Sequence, residues 1–432
     1  MELVRLMKDS EIEWIGEIPQ SWEITKIKNI SNFKNGMAHE SEMDIEGKYV
    51  VVNSRFISTD GMIKKYCNNQ IMPLKKSDIC IVLSDVPNGK AYSKCYVIEK
   101  DNHYTLNQRI GCFFDLKTNL RFFYYFVNRN QGLLMYDDGI NQTNLRKPDL
   151  LNCRFLSPSL LEQQEIADFL DRKCSLIDST IERQNAIIEK LKFYKQSVIT
   201  EAVTKGLDRT AKMKPSGDDW IGDIPEGWEA RKLKYLGDLS ANGVDKKIQE
   251  GEKLYKSVQY MNVYNNSLSE IKNSEDYLII SASDAKANSC TLEKGDVLFT
   301  NSSETPDDMG HSTVVCGKLY NTLFGYHLMR FRPEIEIHLQ FEKYLFGSYY
   351  MRKWFEYRST GMTRYGISYS DFAEALIILP TLLEQQDIAD YLDAKCEGID
   401  NVINSKQNLI EKLIDYKKSL IYECVTGKKE VV

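Results

Sequence analysis

Histidine is scarce in this sequence, at five of 432 residues, and none of the five (His39, His103, His311, His327, His338) pairs with another at metal-ligand spacing. Ten cysteines are scattered singly, with no C-x-x-C pair. That pattern excludes a zinc module and a dithiol redox site and reads as reduced, buried thiols of a cytosolic protein. No apolar run approaches the ~18–20 residues of a membrane span. The opening "MELVRLMKDSEIEW" lacks a signal-peptide core, so a cytoplasmic location is expected. Phosphate-binding motifs are missing as well. Gly89-Lys90 has Ser84 where a P-loop needs its first glycine, and neither G-x-G-x-x-G nor G-x-S-x-G occurs. Glu46-Gly47-Lys48 matches only the E-x-K half of a nuclease motif, with no Pro-Asp ahead of it. A net charge of −6 speaks against coating nucleic acid by bulk charge. No constellation for catalysis or for a metal is left, and a binding or scaffold role is expected.

What the chain does have is repetition. "WIGEIPQSWE" (Trp14 to Glu23) returns as "WIGDIPEGWE" (Trp220 to Glu229). A longer block beginning "LLEQQEIADFLDRKC" at Leu160 returns as "LLEQQDIADYLDAKC" at Leu382. It runs on for about 45 residues without a gap, roughly half of them identical. Between the blocks lie two regions, about 24–158 and 230–380, that resemble each other only faintly. Matching blocks imply one task performed twice; unlike regions imply two versions of another task.

The long block reads as helix. Ser159-x-x-Glu162 and Thr381-x-x-Glu384 are capping boxes, each preceded by proline. A short helix carrying Ile166, Phe169 and Leu170 is expected first, then a longer one from about Asp171 to Val203. In the longer one Ile181, Gln184, Ile188, Leu191, Lys195, Val198 and Ala202 step at heptad spacing. The second copy has Ile403, Lys406, Ile410, Leu413, Lys417, Leu420 and Cys424. Gly206 and Gly427 lie where helix C-termini favour glycine. A single narrow apolar stripe predicts that each long helix packs antiparallel on its twin, giving an internal pseudo-two-fold repeat. The polar seam positions would fix register. Cys174 and Cys396 are expected to be packed helix residues, and the paired tryptophans to seat each variable region on the helices.

The variable regions read as mixed α/β with many short strands: "KYVVVNSRFI", "DICIVLS" and "KCYVIEK" in the first, with "PNGK" a turn; "DYLIISAS", "GDVLFT" and "STVVCGKLY" in the second. "NLRFFYYFVNRNQGLLMY" reads as helix or long strand, and "EKYLFGSYYMRKWFEY" as helix. The expected fold is thus α+β, with boundaries at 1–158 and 207–380 for two α/β domains and at 159–206 and 381–432 for the helical repeats.

The W-I-G-x-I-P-x-x-W-E opening and the L-x-E-Q-Q-x-I-A-D-[FY]-L-D-x-K block, each present twice around unlike regions, resemble the specificity subunits of type I restriction-modification enzymes over essentially the whole chain. The resemblance implies two target recognition domains, each reading half of a bipartite double-stranded DNA site. It implies a helix pair that spaces them and docks two modification (methyltransferase) subunits, with restriction subunits as further partners. The chain itself would hold no cofactor; S-adenosylmethionine would sit in the methyltransferase partner.

Base reading needs Arg, Asn, Gln, Ser or Thr on exposed loops. The first variable region is net basic and the second near neutral. Candidates are Arg55 in "NSRF", Asn107, Gln108 and Arg109 in "NQR", and Asn141, Gln142, Thr143 and Asn144 in "GINQTNLRK". At the corresponding place in the second half, "RSTGMTRYG" supplies Arg358, Thr360, Thr363, Arg364 and Tyr365. The competing reading is a coiled-coil assembly protein without DNA binding.

Overall fold

The computed structural model describes residues 5–39, 41, 43–85, 89, 91–137, 143–266 and 269–431, and of Thr143 the main chain alone. The chain forms two compact units, Met1–Gln184 with Asn408–Val432, and Asn185–Gln407. Each unit therefore takes part of both long helical blocks.

In the first unit a four-stranded antiparallel sheet is built from β1 (Asn32–Asn35), β2 (Ile79–Val82), β4 (Cys95–Val97) and β6 (Ile110–Phe114), in the order β1-β6-β2-β4. The two-residue β3 (Ser84–Asp85) continues from β2, and β5 (Tyr104–Leu106) runs parallel to Tyr49–Val52 in a second, three-stranded sheet. Helix α1 (Leu120–Val127) resolves the aromatic stretch as helix: Asn119 caps it, and Phe122, Phe123 and Phe126 are buried. Next come β7 (Thr143–Asn144), which pairs with β3, and a strand Arg154–Ser157 that closes on Glu23–Lys26. Then follows α2 (Leu160–Lys205).

The second unit repeats this plan. Its main sheet has the order β8-β14-β10-β12-β9, from β8 (Gly237–Ser240), β9 (Glu270–Ile271), β10 (Val297–Thr300), β12 (Ser312–Val315) and β14 (Leu328–Pro333). The extra edge strand β9 pairs parallel to β12; the other pairings are antiparallel, as in the first unit. Here β11 (Ser302–Ser303) takes the place of β3, and β13 (Thr322–Phe324), parallel to Lys253–Val258, that of β5. The single expected helix over "EKYLFGSYYMRKWFEY" is two, α3 (Leu339–Gly347) and α4 (Tyr349–Arg358), broken at Ser348. A hairpin of β15 (Thr360–Gly361) and β16 (Tyr365–Gly366) follows, with β16 pairing to β11. Leu376–Leu379 closes on Glu229–Lys232, and α5 (Leu382–Val425) ends the unit's share of the chain before running on.

The expected break between a short and a long helix is corrected: α2 is one helix of 46 residues. No glycine or proline interrupts Leu160–Lys205. The apolar stripe keeps one core through Ile177 and Ile181 and changes packing partner further along the helix. Ile166, Ala167 and Leu170 join the first unit's core, and Val198, Ala202 and Val203 join the second unit's core. The matching positions of α5 do the same in reverse: Ile388, Ala389 and Leu392 in the second unit, Leu420, Cys424 and Val425 in the first. Within each unit the two helix segments run antiparallel. In the first, Asp178 Oδ2 receives Lys417 Nζ at 2.6 Å; in the second, Asp400 Oδ2 receives Lys195 Nζ at 2.7 Å. Lys195 and Lys417, at matching seam positions, thus make reciprocal ion pairs. Ile181, Leu191, Ile410 and Leu413 are half-buried and Ile188, Val198, Ile403 and Leu420 buried, while the intervening residues are mostly exposed. Gly206 and Gly427 both adopt left-handed backbone just past the helices.

Other repeated residues also find matching work. The Gln163 amide oxygen accepts from Thr118 Oγ1 (2.6 Å) and Asn119 N (2.9 Å), and its nitrogen donates to Pro158 O (2.9 Å). Gln385 accepts from His338 N (2.8 Å) and donates to Pro380 O (3.0 Å). Tyr125 and Tyr344 hydroxyls donate to Asp171 and Asp393 at 2.7 and 2.6 Å. Together these contacts pin α1 and α3 to the long helices. Cys174 and Cys396 are buried beside them, and burial pushes both thiols up. Trp22 and Trp228 are wholly buried in the two cores, and half-buried Trp14 packs on Tyr422 of α5. Trp220 departs from the expectation. It is 57% exposed and rests on Tyr357, because the position matching Tyr422 is Thr200, too short to cover the ring.

Candidate nucleic-acid interface

Three short segments meet at the same place in each unit. In the first, the tight turn Asn107–Arg109 joins β5 to β6. Its Arg109 carbonyl accepts from Leu83 N (3.0 Å), and the Leu83 carbonyl accepts from Leu145 N (2.7 Å). That ladder stitches the turn, the β2–β3 junction and the β7 segment together. Gly36 lies against the turn so closely that a Cβ there would stand 1.9 Å from the Asn107 carbonyl oxygen, so only glycine fits. The result is a cleft of about 500 Å³ lined by Gln108, Arg109, Asn144, Arg146 and Lys147, with Ser84 and Asn35. Two sequence stretches far apart in the chain thus contribute to one basic, amide-bearing surface. Asn107 is half-buried, and its side-chain oxygen accepts from Gln108 N at 2.6 Å within the turn.

The second unit reproduces the frame with other side chains. Gly243 stands where Gly36 does, with a Cβ position 2.1 Å from the Gly325 carbonyl oxygen, and the bridge Val244–Gly325 matches Met37–Asn107. Gly325, Tyr326 and His327 therefore occupy the place of Asn107, Gln108 and Arg109. Tyr326 and His327 are exposed. Burial, with the nearby charges of Arg364 and Lys246, lowers the His327 imidazole below its usual value. Arg364 Nη2 donates to Ser302 Oγ at 3.1 Å, which ties the β15–β16 hairpin to β11. Thr360, Thr363 and Arg364 are exposed on that hairpin, Met362 at its tip is 90% exposed, and Tyr365 is half-buried.

Several candidates fall elsewhere. Arg55 is exposed on a short helix, Ser54–Ser58, capped by the Asn53 side chain; the expected loop is helical there. Arg358 belongs to the last turn of α4 and lies over the rings of Trp354 and Tyr357, so its expected place on a loop is also corrected. Asn141 and Gln142, and most of "PNGK", lie outside the described residues. Glu46 and Lys48 are exposed in a turn. Among the described residues no group of three His, Cys, Asp or Glu side chains could hold a metal ion, and no helix is long and apolar enough to cross a membrane.

Sequence reasoning missed Tyr326 and His327, because "GYH" does not read as a polar loop. The signal was the register. "TLNQRI" and "LFGYHL" occupy the same strand–turn–strand frame, and aligning the strands would have exposed the match.

Comparison with known proteins bears on this doubled frame. The chain matches the family model for the type I restriction modification DNA specificity domain twice, over residues 19–192 and 225–412. It is 23% identical to the type I restriction enzyme EcoKI specificity subunit of Escherichia coli K12, over 90% of this chain and 86% of that protein. It is 25% identical to the type I restriction enzyme MjaVIII specificity subunit of Methanocaldococcus jannaschii, over 52% of this chain. That match and a similar one to the MjaX subunit span about half the length of those relatives. Among solved structures, a chain of a type I R-M system complex superposes with a TM-score of 0.67 at 14% identity, covering 95% of this chain and 99% of that one. The HsdS subunit of Thermoanaerobacter tengcongensis superposes at 0.50 and 13% identity, over 95% and 98%. These likenesses show a shared fold. With two matches that together span most of its length, the chain belongs to the family of type I restriction-modification DNA specificity proteins.

Proposed function

We propose that the chain is the non-catalytic DNA-recognition subunit of a type I restriction-modification enzyme, each recognition domain reading one half of a bipartite double-stranded site. One observation carries the reading: a single three-segment surface frame is built twice, with Gln108, Arg109 and Asn144 on one copy and Tyr326, His327, Thr363 and Arg364 on the other. A corresponding frame with different exposed side chains is what two different half-sites require. The relatives' names, all type I restriction enzyme specificity subunits, support the same reading.

In this reading the long helices set the separation of the readers. Displacing a reader by one base pair moves it ~3.4 Å and turns it by about a tenth of a turn, so a stiff spacer is needed. The repeated blocks offer equivalent surfaces to two methyltransferase subunits, which bring S-adenosylmethionine and the adenine chemistry; restriction subunits complete the enzyme. Exchange of residues 24–158 for another recognition domain tests this. One half of the methylated motif should change and the other persist. A motif changed in both halves, or in neither, contradicts it.

A further inference from the structure

A polar cluster lies behind the recognition hairpin of the second unit. Tyr264 Oη donates to Asp308 Oδ2 at 2.7 Å, and Ser303 Oγ donates to the same oxygen at 3.3 Å. His311 Nε2 is 2.8 Å from Asp308 Oδ1, and Arg352 Nη1 is 3.4 Å from His311 Nδ1. Arg352 can only donate, so Nδ1 accepts and Nε2 carries the proton to Asp308. His311 is thereby neutral, wedged between a guanidinium and a carboxylate. Burial, then the Arg352 charge, pushes it below its usual range. Arg352 also donates to Asp307 O at 3.1 Å, and Asp307 and Glu356 are the remaining charges beside it.

The cluster is tied to β11 at three points. Ser303 belongs to β11, Tyr260 Oη donates to Ser302 O at 2.9 Å while its ring stacks on Tyr264, and the His311 main chain bonds Thr300 just before β11. On its other edge β11 carries the hairpin, through β16 and through Arg364. A two-residue strand has too few ladder bonds to hold a reading surface by itself. In the first unit the corresponding strand, β3, has an aspartate of its own, Asp85, which accepts from Ala91 N at 2.9 Å.

We infer that Asp308, with Tyr264, His311 and Arg352, is a positioning network that sets the β15–β16 hairpin for base reading, so that it determines the selectivity of the second half-site without touching DNA. This rests on the recognition function proposed above. A network of this kind acts by keeping first-contact side chains within a few tenths of an ångström of their reading geometry.

The test is base-resolved adenine methylation by the full chain co-expressed with its methyltransferase partner, for the wild type and for Tyr264→Phe, Asp308→Asn and Asp308→Ala. The wild type should give a split motif; failure there overturns the recognition reading and this inference with it. Given that motif, Asp308→Ala and Tyr264→Phe should leave one half intact and raise methylation of single-base variants of the other half about tenfold, within the usual cost of a mismatch. Asp308→Asn, which keeps an acceptor for Tyr264, should lie between them and the wild type. A general loss of folding would lower methylation without regard to sequence. Unchanged selectivity in all three variants, or a uniform fall at both halves, overturns the inference.

Discussion

Arg109 and Arg364 occupy the exposed rims of equivalent frames, and single substitutions there separate reading from folding. Arg109→Ala removes an exposed guanidinium whose backbone, not its side chain, holds the turn. The expected result is a loss of ~1–3 kcal/mol in DNA binding, sensitive to bases of one half-site only, with the melting temperature unchanged. Competition binding with substituted duplexes measures it; a loss equal for every sequence would assign Arg109 to phosphate contact instead. Glu342 illustrates the opposite kind of residue. It is buried in the second core, its Oε1 has no partner among the described residues, and burial, then the Asp296 charge, holds its carboxyl well above the usual range. A raised folded-state value means the neutral form is the stable one, so its contribution is full below about pH 4.5 and falls as pH rises. Glu342→Gln should therefore raise the melting temperature more at pH 8 than at pH 5. A larger gain at pH 5 would contradict the assignment. None of this was readable from the sequence: "LQFEKYLFG" shows a glutamate in a helix, and only the packing of α3 reveals that it faces inward.

At the scale of elements, the repeated blocks were legible because each repeated residue performs one contact twice. Gln163 and Gln385 are the plainest case: each buried amide satisfies a domain helix N-terminus and the carbonyl before its own helix. Gln385→Ala orphans His338 N and Pro380 O and should cost ~1–3 kcal/mol in the second unit, read as a lower thermal midpoint; a change under a few tenths would show that water replaces the amide. The Lys195–Asp400 and Lys417–Asp178 pairs are partly exposed, so each single reversal should cost only ~0.2–1 kcal/mol, and reversing both members of one pair should restore stability. The capping boxes, the terminal glycines and the heptad stripe were visible in the same way. The continuity of α2 through Asp171 was not, since Ile166, Phe169 and Leu170 and the heptad stripe from Ile181 read as two helices. The short strands of the paired surface frames, β3, β7, β11, β15 and β16, were also invisible: two residues cannot display a two-residue period. The kinship of the variable regions was hidden for a related reason. It lies in sheet order and in glycines forced by close backbone approach, Gly36 and Gly243, while the side chains around them differ.

At the scale of the whole molecule, the recognition reading requires that the long helices act as a spacer. Four residues added after Ile188 lengthen α2 by about one turn. The preferred distance between half-sites should then shift, or methylation should cease while both recognition domains remain folded by circular dichroism. An unchanged motif would remove the helices from any role in spacing. The most direct measurement is base-resolved adenine methylation in a methylation-free host that expresses this chain with its neighbouring methyltransferase subunit. A single split motif, absent when either protein is omitted, is the expected result. A complex that assembles and leaves the genome unmethylated, or methylates without a bipartite motif, would contradict the recognition role.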